Sequence, residues 1–81
     1  MYRVVFSKKA QKDAKKLSGS HLKPQAEKLI ELLKKDPFRN PPAYENLTGN
    51  LKGCISRRIN IQHRLVYEVI EDDKTVLVLR M

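Results

Sequence analysis

Ser56-Arg57-Arg58-Ile59-Asn60-Ile61-Gln62-His63-Arg64-Leu65-Val66-Tyr67 is the stretch on which the reading of this chain turns. It holds three arginines on two strand-like runs, Cys54 to Asn60 and Arg64 to Ile70, joined by a short connection. Strand parity sorts the side chains, because successive residues point to opposite faces. Arg57 goes with Ile55 and Ile59, on the apolar side or at its rim. Arg58 goes with Cys54 and Ser56. In the next run Leu65, Tyr67 and Val69 form the apolar set, and Arg64, Val66 and Glu68 point the other way. Arg58 and Arg64 therefore share an open, polar face. Arg80, in step with Val76 and Val78, is expected to add a third arginine there. A guanidinium offers a planar fork of donors that matches phosphate, and a strand holds it more rigidly than a helix surface does. The cluster points to a phosphodiester ligand.

The flanking sequence supplies the rest of the fold. Tyr2 to Phe6 alternates as a strand, and Ser7 is an N-cap candidate for a helix with Ala10, Ala14 and Leu17 on one stripe. Ser18-Gly19-Ser20 ends that helix. A second helix runs from about His21 to Lys35, beginning near Leu22 or Lys23 because Pro24 fits only in a first turn. Its apolar face is Leu22, Ala26, Leu29, Ile30 and Leu33, and Asp36-Pro37 stops it. Phe38 to Gly53 reads as a long irregular loop pinned by Tyr44 and Leu47. A last strand, Lys74 to Met81, follows a turn at Glu71-Asp72-Asp73. The order β-α-α-β-β-β implies an α+β domain. Its sheet is mostly antiparallel and twisted, with a helical hairpin on one face.

At 81 residues the chain makes a single domain spanning residues 1–81. Its 32% charged and 41% hydrophobic composition is that of a folded chain. No apolar run approaches a membrane span, so no membrane partner is expected and the cytoplasm is the expected compartment. One cysteine and two widely spaced histidines make no metal site. The net charge is +8, unevenly placed. Residues 1–35 hold ten Lys/Arg against three Asp/Glu, and residues 36–81 hold seven against six. The lysines thus load the helices, either as solvated faces or as a surface that tracks phosphates.

Glu45 lies in the proline-bounded loop just upstream of the arginines. A carboxylate has no place in pure phosphate binding, but it fits a site where a proton must be removed. The chain resembles the YoeB/Txe type of bacterial toxins, within the RelE superfamily. The resemblance rests on Glu45-Asn46-Leu47, Asn50-Leu51-Lys52-Gly53, Ser56-Arg57-Arg58-Ile59 and His63-Arg64-Leu65-Val66-Tyr67, with the opening strand and the helical hairpin in support. It implies a RelE-like fold and a toxin that enters the ribosomal A site and cuts mRNA by transesterification without metal or cofactor. It makes Glu45 the general base, Arg64 the arginine that stabilises the transition state and Arg58 a second phosphate-binding arginine. Arg57, Lys52, Arg80 and Tyr44 are the expected substrate contacts. The implied partners are a cognate antitoxin, the ribosome and its mRNA, with operator DNA reached only through the antitoxin complex, and a homodimer is compatible with an open sheet edge.

The resemblance has one departure. Such toxins usually continue past the final strand to a His-Tyr ending, whose histidine is the acid, whereas this sequence stops at Met81. From that departure alone the expectation is a chain that keeps its fold and antitoxin binding with reduced cleavage. A non-catalytic binding module or co-repressor is the other function class. The plainer readings are that Arg58 and Arg64 pair with Glu68 or Glu71, that His63 is structural, that Tyr67 and Tyr2 belong to the core, and that Cys54 is a small buried apolar residue. Tyr44 is either a loop anchor or a stacking platform.

Overall fold

In the computed structural model, which describes residues 1–40, 43–49, 53–60 and 63–81, the first helix begins at a side-chain cap. The Ser7 hydroxyl accepts from the Ala10 N–H at 3.1 Å and opens α1, Lys8–Ser18. Lys15 and Lys16 fall in its last turn, where cations offset the helix dipole. Ser20 then links the two helices, its hydroxyl donating to the Leu17 carbonyl and accepting from the Leu22 N–H. Pro24 sits in the first turn of α2, Lys23–Lys35, as its missing N–H allows. Both helices bury the apolar stripe and turn their lysines outward. Ala10, Leu17, Ala26, Leu29 and Leu33 are buried, while Lys8, Lys9, Lys12, Lys15 and Lys16 are exposed.

The sheet has five strands in the order β1-β5-β4-β3-β2. They are β1 Arg3–Phe6, β2 Glu45–Asn46, β3 Cys54–Arg58, β4 Arg64–Ile70 and β5 Thr75–Arg80. All neighbours are antiparallel except β1 and β5, which run parallel. The order is therefore β-α-α-β-β-β-β, one strand more than the alternation implies. The extra strand is β2, whose two residues pair with Ser56 and Ile55 of β3. Two residues are too few to display a period of two, so a loop is what the sequence pattern returns there. β3 also ends two residues early. Ile59 and Asn60 both donate backbone N–H groups to the His63 carbonyl and turn the chain into β4.

The core lies between the helices and one sheet face. Tyr67, Val76, Val78 and Leu65 from the sheet meet Ala10, Leu17, Leu22, Ala26, Leu29 and Leu33 from the helical hairpin. This settles the β5 parity. Val76 and Val78 face the helices, so that alternation leads to the covered face and not to the polar one. Between Val66 and Tyr67 the pairing slips, with Val66 opposite Arg80 but Tyr67 opposite Val78. Leu79 is the extra residue of a bulge there. No helix among the described residues is long and apolar enough to cross a membrane.

Candidate active site

Glu45, Arg58 and Arg64 are brought together by the register of three strands. Glu45 lies opposite Ser56, and Arg58 lies opposite Arg64. Cross-strand neighbours on one face stand about 5 Å apart at Cβ, within reach of these long side chains. Together with Ala43, Tyr44 and Ser56 they line a cavity of 320 Å³ on the face away from the helices. The Arg64 Nη1 lies 3.4 Å from the Glu45 Oε2, a long hydrogen bond between two solvent-reached groups. Exposed pairs of this kind contribute little to stability, up to about 1 kcal/mol, so a ligand can displace the contact at low cost. Arg58 has no ion-pair partner among the described residues. Neither arginine pairs with Glu71, which accepts instead from Tyr2 and Lys74.

The site thus holds two guanidinium groups and one carboxylate. Such a set can bind a phosphodiester and take a proton from a group beside it. A larger hollow of 450 Å³ lies between the helices, lined by apolar residues such as Phe6, Leu17 and Ile30 and by Lys23, Glu27 and Glu31. No arginine lines it.

Arg57 does not join this cavity. It is 1% exposed and faces the helix side of the sheet. Its Nε donates to the Tyr67 hydroxyl at 2.9 Å, and its Nη2 donates to the Pro37 and Arg39 carbonyls at 3.0 and 2.7 Å. The Tyr67 hydroxyl donates in turn to the Pro37 carbonyl at 2.7 Å. Burial raises the Tyr67 pKa, as do Tyr44 and Asp36, against the opposing effect of the Arg57 charge and hydrogen bond. Arg57, expected as a substrate contact, is thus buried away from the cavity. Its guanidinium also lies 4.8 Å from the centre of the Tyr44 ring, so Arg57 braces the wall that carries Glu45. Tyr44 serves as that wall, half-buried against the core and lining the cavity.

Arg80 departs from expectation as well. Its Nε meets the Asp13 Oδ2 of α1 at 2.9 Å, and the same oxygen accepts from the Met81 N–H at 3.1 Å. Desolvation raises the Asp13 carboxyl, but the Arg80 and Met81 hydrogen bonds and the charges of Arg80 and Lys16 outweigh it and lower the pKa. Arg80 fastens the end of β5 to α1 and is not among the cavity residues. Lys52 lies outside the described residues. The His63 Nδ1 sits 3.1 Å from the Asn60 Oδ1 within the β3–β4 connection, outside the cavity. Cys54 is buried, which together with the Glu68 charge raises its pKa. The residue the sequence reading passed over is Ser56. Its parity with Arg58 was the available signal, and serine at a strand position invites no remark.

Residues 6–81 match the model of the YoeB-like toxin of bacterial type II toxin–antitoxin systems. The chain belongs to the YoeB-like toxin family. A curated relative, toxin YoeB of Synechocystis, is 43% identical over 49 residues, covering 60% of this chain and 57% of that protein. The chain thus matches less than two-thirds of that relative's length. Among solved structures, the YoeB/ParE toxin from Agrobacterium tumefaciens superposes with a TM-score of 0.87 at 26% identity, over 96% of this chain and 93% of that one. A chain of the heterotetrameric YoeB-YefM toxin-antitoxin complex from Staphylococcus aureus gives 0.82 at 28% identity, over 99% and 93%. The YoeB-like membership accords with the α+β architecture and with a helical hairpin laid on one face of the sheet.

Proposed function

We propose that this chain is the toxin of a type II pair and that it cuts ribosome-bound mRNA in the A site by acid/base transesterification. The observation that carries the reading is Glu45 beside Arg64, with Arg58 directly across from Arg64, in one cavity on the uncovered face. In this mechanism the Glu45 carboxylate takes the proton of a ribose 2′-hydroxyl as its oxygen attacks the adjacent phosphorus. Negative charge grows on the non-bridging oxygens, and Arg64 and Arg58 meet it with fixed donors. The departing 5′-oxygen takes a proton from a solvent water as its bond to phosphorus breaks. Neither His21 nor His63 lines the cavity.

Ribosome engagement has its own support. Lys8, Gln11, Lys12 and Lys15 line a shallow hollow of 220 Å³ on α1, a row of cations suited to a phosphate backbone. The partner reading, a cognate antitoxin, is supported by the likeness to the Staphylococcus aureus chain solved with YefM. The deciding experiment maps mRNA cleavage on programmed ribosomes with the parent protein, Glu45→Gln and Arg64→Ala. Cleavage by the parent and its collapse in both variants is the expected result. Undiminished cleavage by Glu45→Gln would remove the carboxylate from the mechanism.

A further inference from the structure

We infer that Ser56 is a phosphate-binding residue of this cavity, its buried hydroxyl donating to a non-bridging oxygen of the phosphodiester that Arg58 and Arg64 hold. The inference rests on the transesterification reading for the identity of that phosphodiester as RNA.

Ser56 lines the cavity yet is only 2% exposed, which puts it at the floor. Its Oγ is the sole buried side-chain oxygen or nitrogen without a hydrogen-bond partner among the described residues. Buried polar atoms in folded proteins are nearly always bonded, so an orphaned hydroxyl asks for a cause. The cause here is local. Ser56 stands in the middle of β3, with Glu45 opposite on β2 and Val66 opposite on β4. Arg58 follows two residues later on the same face, facing Arg64. Every charged group of the site therefore surrounds the hydroxyl, while its β4 neighbour is a valine that can offer it nothing. The Glu45 carboxylate, within one strand spacing, is engaged by Arg64 instead.

A serine hydroxyl is a rotor with one donor and two acceptor lone pairs. Facing two guanidinium groups it cannot serve as a donor to them, and it finds no carbonyl on its own side. A phosphodiester brings the missing acceptors. Two of its oxygens are non-bridging and anionic, and arginines approaching from β3 and β4 leave the underside of the phosphate toward the floor. A donor that is already desolvated gives up no solvent on binding, whereas the same donor in water would first have to shed it. The plain alternative is that serine is there for its small size, clearing room for the longer side chains. Ser56→Ala separates the two, because it keeps the size and removes the oxygen.

The test uses the parent protein, Ser56→Ala and Glu45→Gln. It reads melting temperature, the dissociation constant of uridine 3′-monophosphate by amide shifts of β3, and single-turnover mRNA cleavage on programmed ribosomes. The expected result is a melting temperature for Ser56→Ala equal to or above the parent's, since an unpaired buried oxygen has gone. Nucleotide binding should weaken about 10- to 100-fold, the range for a hydrogen bond to a charged group, with cleavage falling by a similar factor. Equal nucleotide binding in parent and Ser56→Ala would overturn the inference, as would a parent that binds no nucleotide. So would a clear fall in melting temperature, which would mean that the hydroxyl is bonded within the protein. A parent that binds nucleotide through Ser56 but cleaves no mRNA would retire the nuclease reading and leave the phosphate site standing. Cleavage lost in Glu45→Gln but intact in Ser56→Ala would do the reverse.

Discussion

Arg57 and Arg58 are neighbours on one strand, and they live in different solvents. Arg57 points to the helix side, is fully buried, and has its fork filled by the Tyr67 hydroxyl and the carbonyls of Pro37 and Arg39. Arg58 points to the uncovered side, where it lines the cavity with Glu45 and Arg64. The same side chain is a buried brace on one face and an exposed cavity-lining group on the other. What separates them is a single step of the strand alternation. The covered face gains rigidity from satisfied polar groups, and the uncovered face keeps its charges weakly engaged.

The largest effects should come from the uncovered face. Glu45→Gln or Arg64→Ala is expected to cut the cleavage rate by roughly 10²–10⁴-fold while leaving the melting temperature within about a degree or two, since the pair is exposed. Rates and calorimetry on the same samples check this. Next comes Arg57→Ala, with the opposite signature. It strips partners from Tyr67, Pro37 and Arg39 and is expected to cost about 3–5 kcal/mol in urea denaturation. Arg57→Lys should recover little of that, because a point-like ammonium cannot reproduce the fixed planar fork that spans Tyr67, Pro37 and Arg39. If Arg57→Ala lost activity without losing stability, the contrast between the faces would fail.

A smaller loss, about 1–3 kcal/mol, is expected for Tyr67→Phe, which leaves the Pro37 carbonyl and the Arg57 Nε each short of one bond. The smallest effect is a dependence on acid. The folded pKa of Asp13 is lowered, so its clasp on Arg80 and Met81 stabilises the fold above the ordinary carboxyl pKa. That contribution is lost as pH falls through the lowered folded value. Denaturation midpoints measured between neutral and acid pH should show a shallower fall for Asp13→Asn than for the parent.

Much of this was readable before any coordinates. The Ser7 cap, Pro24 in a first turn and the apolar stripes located both helices, and the alternation of Arg64 to Ile70 marked β4 to the residue. Glu45, Arg58 and Arg64 met as the strand parity and the family resemblance together implied. The failures have local causes. β2 is too short to carry a pattern, so Glu45 read as a loop residue when it is pinned opposite Ser56. Val76 and Val78, which set the expected face of Arg80, turn toward the helices, and Arg80 is held by Asp13 of α1, a partner no strand pattern announces. The depth of Arg57 depends on Pro37 and Arg39, which reach it only once the chain after α2 folds across the sheet. Ser56 is found by what its oxygen lacks, and a lack of that kind exists only in three dimensions.

The parallel pairing of β1 with β5 has a consequence for synthesis. Arg3 finds its neighbour in Thr75, roughly 70 residues later in the chain. At about 5–20 residues per second, β1 waits roughly 4–14 s for its only sheet neighbour to be made. Throughout that interval Val4 and Phe6 have helices forming behind them but no strand beside them. Closing so long a loop is slow, and the loop must close before the sheet is whole. The nascent chain therefore passes several seconds with β1 unpaired.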